Sequence, residues 1–328
     1  MSDVGEFGVI ARSVHGRTQP ATTLVGPGDD AALVAAADGR VLVSTDMLVE
    51  GRHFRLDWSS PYEIGAKAVA QNAADIAAMG GCPTAFVVAL GCPPSTPAHV
   101  LDDLSHGIGS AAEQLGAGVV GGDLVAADAL VVSVTALGSL DDRTPVTLSG
   151  ARPGDVVAVA GPVGASAAGL ALLVAGHADR YPALAAAHRV PQPPYDAALA
   201  AADAGATSMT DVSDGLVADL GHIATASGVV VDLDRAAIPV DRELRDAADL
   251  LAVDVGEWVL GGGEDHAFAA TFGPATALPP GWRRVGTVTS SDGRPDAAAG
   301  DGARAAAGLV RVDGHPWAGD RGWQAFRV

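Results

Sequence analysis

Lysine is almost missing from this chain of 328 residues, because Lys67 is the only one among its 20 basic side chains. A P-loop needs Gly-Lys-Ser/Thr, whereas Lys67 lies in "GAKAVA", inside a predicted helix. A protein kinase needs a strand lysine and a His-Arg-Asp loop, and neither occurs. A Gly-x-Gly-x-x-Gly opening a helix after a first strand, the Rossmann fingerprint, is absent too. Cysteine is scarce. Cys82 and Cys92 form no Cys-x-x-Cys pair and are too few for a disulfide scaffold, so they read as buried reduced thiols. Histidines and cysteines also lack the ligand spacing of a zinc site. Aromatics supply 4% of the residues against 48% hydrophobic overall, so the core must rest on aliphatics and Ala.

The formal charge of −19, from 39 acids against 20 bases, argues against nucleic acid as a partner. Such binding rests on Lys and Arg neutralising phosphates. The amino terminus "MSDVGEFGVIARSVHG" lacks the basic-then-apolar order of a signal peptide. Val156–Gly176 is uncharged over a length that could cross a bilayer. Gly161-Pro162-Val163-Gly164 interrupts it, which points to a buried strand, a tight turn and an Ala-rich helix. The expectation is a cytoplasmic protein with no membrane partner.

Strand-like and helix-like segments alternate, and the length suits two domains. Ser60-Pro61-Tyr62-Glu63 is a capping box with Pro at the first helical position. The helix should reach about Met79, with Lys67, Gln71 and Asp75 on one face. Val41–Val43 reads as a short buried strand that ends before "STDMLVEGRHF". Further strands are expected over Thr84–Leu90, Ala129–Leu137, Val156–Ala160, Thr207–Thr210, His266–Phe272, Arg283–Val288 and Leu309–Val312. Helices are expected over Thr96–Leu115, from Ala165, from Tyr195 and over Gly215–Ser227. Turn residues crowd Asp141–Gly154, which sets the domains at 1–145 and 146–328.

Acids recur beside turn residues: Asp29 and Asp30 in "GPGDDAAL", Asp46 in "VSTDM", Asp75 in "NAADIAAMGG" and Asp123 in "VVGGDL". Asp211, Ser213 and Asp214 follow in "MTDVSDGL", then Glu264 and Asp265 in "LGGGEDHAF". Any one of these could be an ordinary turn or cap, and Asp214 could simply cap the helix at Gly215. If they converge, the carboxylates repel one another unless cations intervene. Oxygen donors suit a hard cation, Mg²⁺ above all, which shares its shell with substrate phosphates. Gly121-Gly122 and Gly262-Gly263 would let backbone N–H groups approach phosphate oxygens.

Taken in order, "GEFGVIAR", "GDDAA", "STDMLVEGRHF", "NAADIAAMG", "GGD", "SGARPGD", "DVSDGL" and "GGED" resemble the thiamine-monophosphate kinase family. That family belongs to the ATP-binding superfamily of aminoimidazole-ribonucleotide synthetase. The resemblance implies an α/β (α+β) fold of two PurM-like domains, each a mixed β-sheet packed with helices. It implies transfer of the γ-phosphoryl of ATP to thiamine monophosphate by a homodimer. It makes Asp30, Ser44, Thr45, Asp46, Asp75, Asp123, Asp211 and Asp214 ligands of several Mg²⁺ ions, with Asp46, Asp75, Asp123 and Asp214 catalytic. Gly122, Asp123 and Ser213 become ATP contacts, and His53, Glu264 and Trp323 contacts to the thiamine phosphate. On the residues alone, His53 could equally be a sheet-edge polar group and Trp323 a packing residue. Where the family has an ATP-contacting Arg before "SG", this chain has Leu148, with Arg143 or Arg152 as the substitutes at hand.

Two other readings stay open. One is another ATP-dependent member of the superfamily. Against it, no reactive Cys and Lys lie near the amino terminus and "WQAFRV" carries no terminal cysteine. The other is a non-catalytic nucleotide or metal sensor, which would bind ATP without turnover.

Overall fold

The structure, a computed structural model, describes residues 19–26, 31–291, 309–319 and 322. Asp30 and Trp323 lie outside them. The chain divides into two compact units, one of residues up to Ala77 with Gly81–Asp142, the other of Ala78–Gly80 and Arg143 onward.

The first unit holds β1 (Thr23–Val25), β2 (Leu33–Val34), β3 (Leu42–Val49) and most of α1 (Pro61–Ala78). It continues through β4 (Cys82–Cys92), α2 (Ala98–Gln114), β5 (Gly118–Ala126) and β6 (Val131–Ser139). Its main sheet runs β3-β6-β4-β5, antiparallel except for the β4/β5 pair. The capping box forms as expected: Glu63 accepts from the Ser60 N–H, and Ser60 Oγ accepts from the Glu63 N–H. Close helix crossing requires glycine, since a Cβ at Gly65 would fall 2.2 Å from the Leu104 carbonyl oxygen of α2. One face of the sheet is buried through Val88, Val132, Val134 and Ala136. The other leaves Val43 60%, Met47 52% and Val125 54% exposed.

The strand expected to stop at Val43 runs on to Val49 instead, so Ser44, Thr45 and Asp46 lie inside it. β-branched Val43, Thr45 and Val49 favour the extended chain, which outweighs the polar residues between them. Likewise "VVGGDL" is part of β5 rather than a turn, with a bulge between Val119 and Gly121 absorbing the irregularity.

The second unit contains β7 (Val156–Ala160), α3 (Ala165–Ala175), α4 (Pro182–Arg189), α5 (Tyr195–Asp203), β8 (Ser208–Val212), α6 (Leu216–Ser227) and β9 (Val229–Leu233). Then come α7 (Arg242–Leu251), α8 (Val255–Gly261), β10 (Ala267–Phe272), β11 (Trp282–Ser290), β12 (Val310–Val312) and β13 (His315–Pro316). Among the described residues, seven strands order as β13-β12-β9-β11-β7-β10-β8, with β12/β9 the one parallel pair. The core joins inward residues of this sheet, such as Val157, Val231 and Ala269, to Leu172 of α3, Leu220 of α6 and Leu244 of α7. The uncharged run at Val156–Gly176 resolves into β7 and the 11-residue α3. Among the described residues, no helix is long and apolar enough to cross a membrane.

Candidate functional site

In the first unit, alternation along β3 turns Ser44, Asp46 and Leu48 to the buried face, toward α1. Ser44 Oγ donates to Asp75 Oδ2 at 2.5 Å, and the Asp46 N–H donates to Asn72 Oδ1 at 3.0 Å. Asn72 and Asp75, three apart on α1, share one helix face. Ser44, Asp46 and Asp75 are therefore gathered where an edge strand meets a buried helix. Asn72 was not foreseen. It is fully buried and also donates to the Ala68 carbonyl at 2.8 Å.

Thr45 points the other way. Its hydroxyl donates to the Val134 carbonyl at 3.0 Å and lies 3.0 Å from Thr135 Oγ1. Asp123 is also apart from Asp46. The register row Asp46–Val134–Val88–Gly122 turns inward, whereas Met47–Ser133–Ala89–Asp123 turns to the open face. β3 and β5 are opposite edges of the sheet, three strand spacings or about 14 Å apart. Gly122 has a packing reason to be glycine: a Cβ there would meet the Val88 carbonyl oxygen at 2.2 Å.

His53 closes the turn after β3. Its Nδ1 accepts the Val49 N–H at 3.0 Å, which leaves Nε2 as the donor of a neutral imidazole. Lys67, 1% exposed, donates to the His53 carbonyl at 3.2 Å, so the sole lysine holds this turn from inside.

In the second unit, Asp211 lies inside β8, one residue before its end and not in the loop that follows, with Oδ2 2.9 Å from His266 Nδ1 and both side chains buried. Asp214 does not cap the next helix. Asp219, one turn into α6, takes that role, its Oδ2 accepting the N–H groups of Asp214 and Gly215 at 3.0 Å each. Burial pushes the Asp219 carboxyl well above the usual range, and the neighbouring Asp211 and Asp214 carboxylates add to the rise. Asp214, Asp219 and His222 each offer a ligand atom within 4.8 Å of the other two. Ser213 lies in the same loop, its carbonyl accepting the Glu264 N–H at 2.7 Å. Gly263 lets that contact close, since a Cβ would fall 2.6 Å from the same oxygen.

Glu264 and His266 both adopt left-handed backbone, φ 64° and 51°, around a buried Asp265. Asp265 accepts the Gly164 N–H at 2.5 Å and the Ser166 N–H at 2.7 Å, capping α3 from a distant part of the chain. Burial raises its carboxyl to about 7, against the pull of those two donors. Asp219 escaped the sequence reading, although an acid inside the apolar run "LVADLGHIA" is a signal of buried function. Near Leu148, Arg143 is paired with Asp203 at 2.7 Å, and Arg152 is exposed.

Comparison with known proteins places this geometry. The pattern described as "AIR synthase related protein, N-terminal domain" matches residues 28–140, and its C-terminal counterpart matches residues 152–292. A thiamine-monophosphate kinase of Mycobacterium tuberculosis (strain ATCC 25618 / H37Rv) is 54% identical over 328 residues, covering 99% of this chain and 93% of that protein. A thiamine-monophosphate kinase of Corynebacterium glutamicum is 42% identical, covering 99% of this chain and 95% of that one. The solved structure of AaThiL complexed with AMPPCP and TMP is 28% identical, covers 99% of this chain and 98% of that one, and superposes with a TM-score of 0.76. With that identity sustained from end to end, and the two-domain mixed-sheet fold in common, the chain belongs to the thiamine-monophosphate kinase family.

Proposed function

We propose that this enzyme transfers the γ-phosphoryl group of ATP to thiamine monophosphate, giving thiamine diphosphate in the cytoplasm. The observation that carries the reading is the character of the gathered side chains. The residues expected to handle phosphate are oxygen donors, Ser44, Asp46 and Asp75 in one unit and Asp211 and Asp214 in the other. Two polyanions cannot meet such carboxylates without cations. The donor set fits Mg²⁺, a hard ion that prefers carboxylate and hydroxyl oxygens. Bound there, Mg²⁺ supplies charge neutralisation for the two phosphate-bearing substrates. AaThiL, solved with AMPPCP and TMP, supports the pairing of a nucleotide with the monophosphate.

The chain's own residues divide the remaining work. ATP and metal binding fall to the N-terminal domain, expected at 1–145, and to the Asp211–Asp214 segment of the domain at 146–328. The acceptor phosphate, with a second pKa of about 6, is largely dianionic at neutral pH and needs no base to create its nucleophilic oxygen. His53 offers its Nε2–H, and Glu264 its carboxylate, to the thiamine phosphate. Catalysis is then mostly positioning and electrostatics.

The open sheet face favours a homodimer. Val43, Met47, Val87 and Val125 form an exposed apolar set on it, more than a solvated sheet retains without a partner. Asp123 lies on that same face and away from its own Asp46, which fits action across the dimer. Mixing Asp46→Asn with Asp123→Asn subunits tests this, because only hybrid dimers then hold an intact site. Restored activity supports action in trans, and a mixture as inactive as its parents refutes it.

The function itself is tested by supplying ATP and Mg²⁺ with thiamine monophosphate, free thiamine or no acceptor, and separating the products. Thiamine diphosphate should form from the monophosphate alone. Free thiamine presents a hydroxyl that must lose a proton during attack, and it lacks a phosphate for the metals to hold. Comparable turnover of free thiamine refutes the base-free chemistry. ATP that binds without ever being consumed favours a sensor.

A further inference from the structure

Three consecutive side chains fasten the "GGED" segment to three different elements. Asp265 reaches the start of α3, His266 reaches Asp211 on β8, and Glu264 reaches His188 on α4. His188 is 5% exposed, and its Nδ1 stands 3.1 Å from Ser166 Oγ and 3.6 Å from Glu264 Oε2. Ser166 is tied at both ends, its N–H to Asp265 and its hydroxyl to His188.

The three residue types are those of a hydrolytic relay, but Ser166 and Glu264 face the same ring nitrogen of His188, Nδ1, and Ser166 is fully buried and cannot meet a substrate. The chain instead runs outward and ends on Glu264, the member with the greatest exposure. Glu264 also holds left-handed backbone, which a non-glycine residue keeps only when its surroundings impose it. A carboxylate held this firmly, by main chain and by imidazole, is suited to meet one ligand group in one geometry.

We infer that His188 is a positioning residue for the acceptor: braced by Ser166, it fixes the Glu264 carboxylate for the cationic thiazolium or the aminopyrimidine of thiamine monophosphate. This rests on the reading of Glu264 as an acceptor contact. His188 itself touches no substrate.

The test measures binding without turnover, by titration calorimetry of the full-length protein with thiamine monophosphate and, separately, with Mg²⁺ and AMPPCP. His188→Leu should weaken thiamine monophosphate about tenfold, since the Glu264 carboxylate loses the imidazole that stands 3.6 Å from it. Nucleotide affinity should stay within about twofold, since no contact to that ligand is removed. His188→Asn, whose amide can occupy the Nδ1 position, should restore most of the loss. In a Glu264→Gln background, His188→Leu should add less than about twofold, because a residue acting through another loses its effect when that one is gone. If His188→Leu does not fold, Ser166→Ala gives the same non-additivity with a loss of about threefold. Additive losses in the double variant, or equal losses for nucleotide and acceptor, overturn the proposal while leaving Glu264 as a contact. A Glu264→Gln protein with unchanged acceptor affinity overturns both.

Discussion

The acid-bearing regions of the two units are held by opposite means. Around Ser44, Asp46 and Asp75, regular structure does the aiming: strand alternation selects the face, and one helical turn brings Asn72 and Asp75 together. No non-glycine residue between Leu42 and Ala78 has left-handed backbone. Around Asp211, Asp214 and Glu264 the main chain is irregular, and two buried acids, Asp219 and Asp265, have carboxyls pushed upward. Left-handed backbone at Glu264 and His266 costs of order 1–3 kcal/mol each. The large core beneath β8 and β10 can bear that cost. The first region is therefore tuned for function at little expense in stability, whereas in the second the same residues serve both.

That contrast is broken most directly by removing one charge from the first region. Asp46→Asn and Asp75→Asn should each lower kcat/KM by roughly a hundredfold or more, as expected for a lost anionic ligand worth several kcal/mol. Their urea midpoints should stay close to that of the parent, since relief of like-charge crowding offsets the altered hydrogen bond. Kinetics across a Mg²⁺ titration check this, and near-parental activity at limiting Mg²⁺ refutes the assignment.

The opposite outcome is expected at Asp265. Asp265→Ala leaves the Gly164 and Ser166 N–H groups buried without their acceptor, at about 1–3 kcal/mol each. Unfolding free energy should fall by about 2–4 kcal/mol in urea titrations. A variant as stable as the parent would show that Asp265 is there for chemistry alone.

The same contrast explains what could be read from the sequence. Ser60 and Glu63 announced α1, and the spacing of Lys67, Gln71 and Asp75 put them on one of its faces, because capping and helical period are local properties. The extent of β3 was not legible: "STDM" looks like a loop until β6 is found beside it. The opposed facing of Asp46 and Asp123 was hidden for the same reason, since it depends on a register spanning four strands. His188 and Ser166 gave no signal at all. They lie 76 and 98 residues before Glu264, and only the folding of α3 and α4 onto the "GGED" segment brings them to it.

A smaller effect separates the regions by pH. The folded state keeps the Asp265 proton up to about 7, while the unfolded chain releases it near the ordinary 3.8. Between those values the unfolded state binds fewer protons, so stability falls as pH rises, by at most about 1.4 kcal/mol per pH unit. Below the window both states are protonated, and above it both are ionised, so the contribution is flat. Asp265→Asn should flatten the fall in urea midpoint between pH 5 and pH 7.5. An undiminished slope in the variant assigns the pH dependence to other groups.

The smallest expected effect concerns Leu148, and it sharpens the view that metals and backbone, not cationic side chains, hold the nucleotide. Leu148 is exposed, and its carbonyl accepts the Ser227 hydroxyl at 2.9 Å, which fixes the main chain and leaves the side chain replaceable. Arg143 already pairs with Asp203 at 2.7 Å, and Arg152 is exposed. Neither has an obvious claim to the position that Leu148 vacates. Leu148→Arg therefore adds a guanidinium without displacing a partner. If the site borders ATP, Mg²⁺-ATP should bind about three- to tenfold tighter, the worth of one partly exposed charge-assisted contact. The gain should shrink as salt rises from 50 to 500 mM, because an exposed ion pair is screened while metal–phosphate contacts persist. Thiamine monophosphate affinity should not change. A gain shared by both ligands would mean only a general rise in positive charge. No gain at any salt concentration would mean that this edge of the unit does not face the nucleotide.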